Sequence, residues 1–216
     1  MKPNAQNTRE ALLEAALHCF AAHGFDGTSI RMIAQRSGRP LSLIGHHFGS
    51  KEGLYIEVFR YLFTLTPFKS SLADGFEDRA PRTRNEAIRQ LREQLHNIYT
   101  DVCVADGDLG EIKEAGRRLW LMELRAPNPE IQKLFQEHLS PWVEKVRTCI
   151  QFLRPDLSEG EVAFLGKLIL GMFAGQSLSR GIGEAVWGEC RLSPFTSIEM
   201  LSEFIILGIA VESPGK

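Results

Sequence analysis

Residues 24–54 read GFDGTSIRMIAQRSGRPLSLIGHHFGSKEGL, and their pattern decides the fold. Ile30, Ile33 and Ala34 fall at i, i+3, i+4 and mark one buried helix face. Thr28 and Ser29 stand just before them, where a hydroxyl can cap the free N–H groups of a helix start. Gly38 follows as a stop, because glycine takes the left-handed turn without steric penalty. After Pro40 a second helix is expected, with Leu41, Ile44 and Phe48 facing inward. Its outward face is Ser42, Leu43, Gly45 and His46. Two short helices joined by a tight turn containing glycine form a helix-turn-helix, whose second helix enters the DNA major groove.

Working outward, a first helix is expected from about Thr8 to His23, with Asn7 and Glu10 spaced for a capping box. Leu12, Leu13, Ala16, Leu17 and Phe20 give it a core stripe. A further helix starts at Ser50 and carries Leu54, Tyr55, Val58, Phe59 and Leu62. Pro67 ends or bends it, and Lys69 to Arg84 reads as a loop. From Asn85 the chain reads as long helices. One holds Ile88, Leu91, Leu95, Ile98 and Val102, and another runs from Leu109 to Arg125. A third opens at Asn128-Pro129-Glu130, runs to Leu153, and should bend at Pro141. A fourth spans Leu157 to about Ile182, and the last begins at Ser193-Pro194. The fold class is all-α, with about nine helices and no strand pattern.

The stretch TREALLEAALHCFAAHGFDGTSIRMIAQ from Thr8, together with HHFGSKEGLY, resembles the N-terminal domain of the TetR family of bacterial transcription regulators. Phe20, Gly24, Thr28, the Ile33-Ala34 pair and Lys51 all stand where that family has them. The form HFGSKEGLY resembles the subgroup whose recognition helix ends in Asn-Tyr-His-Phe. Two positions depart: Arg39 replaces an apolar turn residue, and Gly45 replaces the tyrosine that usually grips a phosphate. Glycine inside a short helix also costs about 1 kcal/mol relative to alanine. The segment Glu123-Leu124-Arg125-Ala126-Pro127 resembles the regulatory domain of the same subgroup.

The resemblance implies residues 1–49 as a three-helix DNA-binding domain and 50–216 as a helical regulatory and dimerisation domain, with helix 50–65 as connector. Thr28, at a helix start, can offer a hydroxyl and backbone N–H groups to a phosphate, and Lys51 is a second phosphate anchor. Ser42, Leu43 and His46 are the candidates for base edges, Leu43 meeting a thymine methyl. Arg39 can supply the grip that Gly45 lacks. His46-His47 as a metal pair is rejected, because adjacent helical residues diverge and no third ligand is evident.

One reading helix binds weakly, and helix-turn-helix proteins dimerise to reach successive major grooves. On the fourth long helix Val162, Leu165, Leu168, Ile169, Met172 and Phe173 offer more apolar surface than one side needs. Gly171 and Gly175 are spaced to admit another backbone. With Leu201, Phe204 and Ile205 of the last helix they are the expected dimer interface, matching the four-helix bundle of the family. The resemblance also implies a ligand pocket among the middle helices. Tyr61, Leu95, Tyr99, Trp120 and Glu123 are candidate lining residues. Leu124, Phe135, Trp142, Met172 and Gln176 complete the set, which suits a small, largely apolar molecule.

Composition bounds the rest. Residues 1–56 carry six Lys or Arg against four acids, a formal +2, and the remainder 19 against 23, a formal −4. A basic head on an acidic body suits phosphate binding at one end. Cys19, Cys103, Cys149 and Cys190 show no CxxC or Cys/His pairing, against a zinc site or a disulfide framework. Asp106, Asp108 and Gly110 hint at a calcium loop, but Arg117 stands where its final glutamate belongs. The polar stretch Met1 to Asn7 is no secretory signal, and Val162 to Gly175 contains Lys167 and is too short to span a bilayer. A cytoplasmic protein without cofactor is expected. Enzyme motifs such as GxSxG, HExxH or a phosphate-cradling glycine loop are absent. The function expected is a homodimeric repressor, binding a palindromic duplex operator and released by a small effector. A ligand-independent helix-turn-helix protein and an all-helical enzyme are the alternatives.

Overall fold

The structure, a computed structural model, describes residues 5–65, 79–103, 110–125, 127–178, 185–186, 188 and 192–210. Among the described residues there are nine helices and no strands: α1 (Ala5–Gly27), α2 (Ile30–Ser37), α3 (Ser42–Phe48), α4 (Lys51–Leu65), α5 (Arg84–Cys103), α6 (Gly110–Arg125), α7 (Pro129–Leu153), α8 (Glu159–Leu178) and α9 (Pro194–Ala210). The expected loop over 69–84 lies largely outside the described residues, as do the calcium-loop positions Asp106 and Asp108, Cys190 and the expected end of α8 near Ile182. The side chains of Val102, Cys103 and Gln176 also lie outside them.

Local chemistry explains most boundaries. The regular part of α1 ends at His23, because Gly24 adopts φ 71° and ψ 176°, leaving one further turn to Gly27. The chain is already helical at Ala5, so Asn7 lies within the helix and is not the cap that its spacing with Glu10 predicts. Ser29 caps α2, its Oγ accepting from Met32 N at 3.2 Å. At the other end Gly38 is left-handed (φ 63°). Its N–H donates to Gln35 O at 3.3 Å and Arg39 N–H to Ala34 O at 3.2 Å, which satisfies carbonyls the helix leaves open. α7 continues through Pro141.

The chain divides into two compact units, residues 1–66 with 105–137 and residues 67–104 with 138–216. In the first, the α1 stripe Leu12, Leu13, Ala16, Leu17 and Phe20 is buried as expected, packed with Ile33, Ile44 and Phe48. Leu54, Tyr55, Val58 and Phe59 of α4 and Leu119 of α6 belong to the same core. The boundary at 49/50 therefore does not coincide with a packing boundary: α4 and α6 close the core that α1 opens. Leu41 departs from its inward assignment and stands 40% exposed, because it precedes the first turn of α3.

In the second unit Leu91, Leu95 and Ile98 of α5 pack with Trp142, Val146 and Ile150 of α7. Val162, Ile169 and Phe173 of α8 and Ile198, Ile205 and Ile209 of α9 complete that core. α5 and α9 run antiparallel, since Arg84 Nη2 donates to the carbonyl of Ala210 while Arg92 Nη1 reaches Glu199 Oε2 at 3.3 Å.

Candidate nucleic-acid interface

α3 is held from beneath by Ile44 and Phe48, so its opposite face is free. Ser42, Gly45 and His46, at i, i+3, i+4, are exposed together on that face. Leu43 is half-buried and packs against the core, so only part of its surface is available to a base. His47 is also half-buried, its ring 5.1 Å from that of His46. An added Cβ at Gly45 meets nothing within 4 Å. Two outcomes follow. Gly45→Ala should raise stability by about 1 kcal/mol, because helical glycine carries that entropic penalty. Gly45→Tyr places a hydroxyl on the exposed face of α3 and should tighten duplex binding about tenfold, the scale of one good charge-assisted contact; an unchanged affinity in a fluorescence-anisotropy titration would contradict it.

Lys51 opens α4, its Nζ lying 4.4 Å from the centre of the Phe25 ring. A cation over an aromatic face is directed yet still partly hydrated, fit to meet a phosphate. Ser50 caps the same helix start, its Oγ accepting from Gly53 N at 3.0 Å. Arg39 is half-buried and ties the turn to α1, Nη2 donating to Asn7 Oδ1 at 3.4 Å.

Thr28 needs correction. It is 2% exposed, and its hydroxyl lies within donating distance of Cys19 O (3.0 Å) and Gly24 O (2.7 Å). It fastens α2 to the end of α1 and has no free surface for a phosphate.

Three contributors were not singled out from the sequence. Phe25 underlies Lys51. Arg9 ion-pairs with Glu57 of α4 while its guanidinium lies 5.6 Å from the Phe48 ring centre, so it braces the end of α3. Gly53 lets α4 approach the end of α3: an added Cβ there would stand 2.2 Å from Phe48 O. Helical periodicity reveals none of these, but a glycine in the first turn of an otherwise apolar helix was a visible signal.

An aromatic block lies behind this surface. Tyr55 is edge-on to Phe20 (4.9 Å), Phe25 (5.1 Å) and Phe59 (5.3 Å). Its hydroxyl donates to Glu123 Oε1 at 2.7 Å, and Asn128 N donates to Glu123 Oε2 at 2.8 Å. Burial, then the bond to Glu123, push the Tyr55 phenol well above its ordinary range. His18, on the other side of α1, is held below 6.5 by burial and then by the charge of Arg36.

The expected ligand-lining residues divide between the units. Tyr61, Trp120, Glu123 and Phe135 belong to the first and Leu95, Tyr99, Trp142 and Met172 to the second. Several have internal partners instead of open polar atoms. Both Glu123 oxygens are taken as above, and Trp142 Nε1 donates to Gln94 O at 3.0 Å. The Tyr61 hydroxyl donates to Glu14 Oε1 at 3.1 Å, and its phenol is pushed up to about 12 by burial and then by Glu14. Leu124 is exposed.

The expected dimer residues also need sorting. Val162, Ile169, Phe173 and Ile205 are buried in the second unit's own core, and Leu165, Met172 and Leu201 are half-buried. Of the expected set, Leu168 on α8 and Phe204 on α9 are exposed, and so are Phe164 on α8 and Met200 and Leu207 on α9. Gly171 and Gly175 follow Phe164 and Leu168 at helical spacing, each with open space where a Cβ would be. Both helices are apolar on two sides, and the sequence alone could not say which side the core takes. Among the described residues no helix is long and apolar enough to cross a membrane, and no cluster of His, Cys, Asp or Glu could hold a metal.

Residues 12–58 match the family model described as bacterial regulatory proteins, tetR family. The HTH-type transcriptional repressor AcnR of Corynebacterium glutamicum is 41% identical over 54 residues, 25% of this chain and 29% of that protein. The HTH-type transcriptional regulator RutR of Escherichia coli is 38% identical over 93 residues, 42% of each. The chain thus matches well under two thirds of the length of these relatives. The fold extends further. HlyIIR, a hemolysin II transcriptional regulator, superposes with a TM-score of 0.60 at 19% identity, over 97% of this chain and 100% of that one. A TetR family transcriptional regulator, PfmR from Thermus thermophilus, gives 0.60 at 19% identity, over 96% and 98%.

Proposed function

We propose that this chain, whose residues 12–58 form a tetR-family N-terminal domain, is a homodimeric transcription regulator acting as a repressor. It binds a palindromic operator and is released by a small, largely apolar molecule. The observation that carries the reading is α3 itself: a short helix pinned by Ile44 and Phe48, with Ser42, Gly45 and His46 exposed on one face and Lys51 opening the next helix. Contacts then divide in the usual way. Lys51 and Arg39 hold phosphates, and Ser42 and His46 reach base edges, with Leu43 offering part of its side chain to a thymine methyl.

Dimerisation supports the same reading. Five large apolar side chains, Phe164, Leu168, Met200, Phe204 and Leu207, stand exposed on two neighbouring helices in sequence. A contiguous exposed patch of such residues marks an association surface, and we assign these five to one. A second copy covering them would supply a second α3, and reading successive major grooves takes two such helices. The relatives named as a transcriptional repressor and a transcriptional regulator support control of transcription; a cytoplasmic place and a role without enzymatic turnover belong to the same proposal. By linkage, an effector that prefers the conformation with wrongly spaced reading helices weakens DNA binding by the same factor.

Lys51→Ala tests the phosphate assignment. Affinity should fall about equally for all duplex sequences, and the slope of log affinity against log salt should decrease by about one. His46→Ala should instead alter base preference. A salt slope unchanged in the Lys51 variant would remove that residue from the interface.

A further inference from the structure

We propose that Glu123 is a positioning residue for DNA binding, its buried carboxylate joining Tyr55 of α4 to the start of α7 and so fixing where Lys51 stands. This rests on the DNA-binding reading above and adds to it the control of that surface. The geometry is continuous. Lys51 Nζ lies 4.4 Å from the Phe25 ring centre, the Phe25 and Tyr55 rings are 5.1 Å apart, and Tyr55 Oη lies 2.7 Å from Glu123 Oε1. The other oxygen, Oε2, accepts the backbone N–H of Asn128 at 2.8 Å, where the chain turns from α6 into α7.

Lys51 and Tyr55 are one helical turn apart on α4, so they share a face, and a shift of one carries the other. Glu123 is 8% exposed. A carboxylate so placed is costly unless each oxygen is paired, and an apolar pair of similar volume would close the core more simply. What the carboxylate adds is direction: it holds the Tyr55 hydroxyl at one point and ties it to the backbone 73 residues further along.

A double-mutant cycle on the full-length chain tests this. The probe is a fluorescein-labelled duplex drawn from the pool that the wild-type chain enriches, or a random-sequence duplex where none is enriched. Tyr55→Phe removes the hydroxyl and keeps the ring. It should weaken binding about fivefold to tenfold, the size of coupling seen between groups in one network. In the Lys51→Ala background the same change should alter binding less than about twofold, because the group it positions is gone. Glu123→Gln should retain affinity within about twofold, since its amide can accept from Asn128 N and donate to Tyr55 Oη. Glu123→Asp keeps the charge and withdraws the oxygens, giving the same cycle if the tyrosine variant does not fold. Equal weakening in both backgrounds, or none in either, would reduce Glu123 to support of the core and overturn the proposal alone. A wild-type chain that binds no duplex would overturn the DNA-binding reading as well.

Discussion

Phe204→Asp, combined with Phe164→Asp, should convert a dimer into a folded monomer and weaken binding to a palindromic duplex about a hundredfold or more. The size follows from losing the second reading helix, because linked sites gain two to four decades over either alone. Phe204 is 67% exposed, so a charge there disturbs little within one protomer. Surface substitutions of this kind usually change stability by less than about 0.5 kcal/mol. In the proposed dimer the same aspartate would be desolvated against the partner. Light scattering gives the mass and anisotropy gives the affinity. A doubly substituted chain that stays dimeric would place the interface elsewhere. Ile205→Asp offers the contrast: Ile205 lies in the protomer's own core, and its substitution should unfold the second unit instead of dissociating it.

The second large effect is on stability. Phe20→Ala should cost about 3–5 kcal/mol, the usual range for deleting a buried ring. Phe20 has no exposed surface and packs edge-on to Tyr55 at 4.9 Å and stacked on Phe25 at 6.0 Å. The consequence reaches beyond the helix-turn-helix. Because α1, α4 and α6 share one core, the loss should be felt at Trp120, which lies 6.1 Å from the Phe135 ring in the same unit. In a chain retaining only Trp120, its fluorescence transition in urea should move to lower denaturant on Phe20→Ala. An unmoved Trp120 transition would mean that residues 1–49 fold as a separate domain, and that α4 and α6 do not depend on them.

Much of this protein was legible in its sequence, and the reasons are physical. Ile30, Ile33 and Ala34 followed by Gly38 declared α2 and its end, since apolar spacing and a left-handed glycine are local facts. Ser29 as cap and the stop at His23 before Gly24 were readable for the same reason. The face of α3 was readable through Ile44 and Phe48, although Leu41 lay outside its first turn. What could not be read were choices made by tertiary packing. α8 is apolar on both sides, so Val162, Ile169 and Phe173 could serve a core or a partner equally well. Only the fold shows that they face inward while Phe164 and Leu168 do not. Thr28 was placed at a helix start correctly, but the direction of its hydroxyl depends on the carbonyls of Cys19 and Gly24. Glu123 reads from the sequence as one of ten candidate ligand-lining residues, and the fold pairs its two oxygens with Tyr55 and Asn128. Those partners are 68 residues before it and five after it, a convergence no local pattern reports.

Selection of bound sequences from random duplex DNA by the full-length chain, at a stated salt concentration, tests the central claim most directly. The account predicts enrichment of a palindrome whose half-sites lie about one helical turn apart, matching two α3 helices across a twofold axis. No enrichment, with binding that only fades as salt rises, would contradict it and leave α3 without a sequence to read.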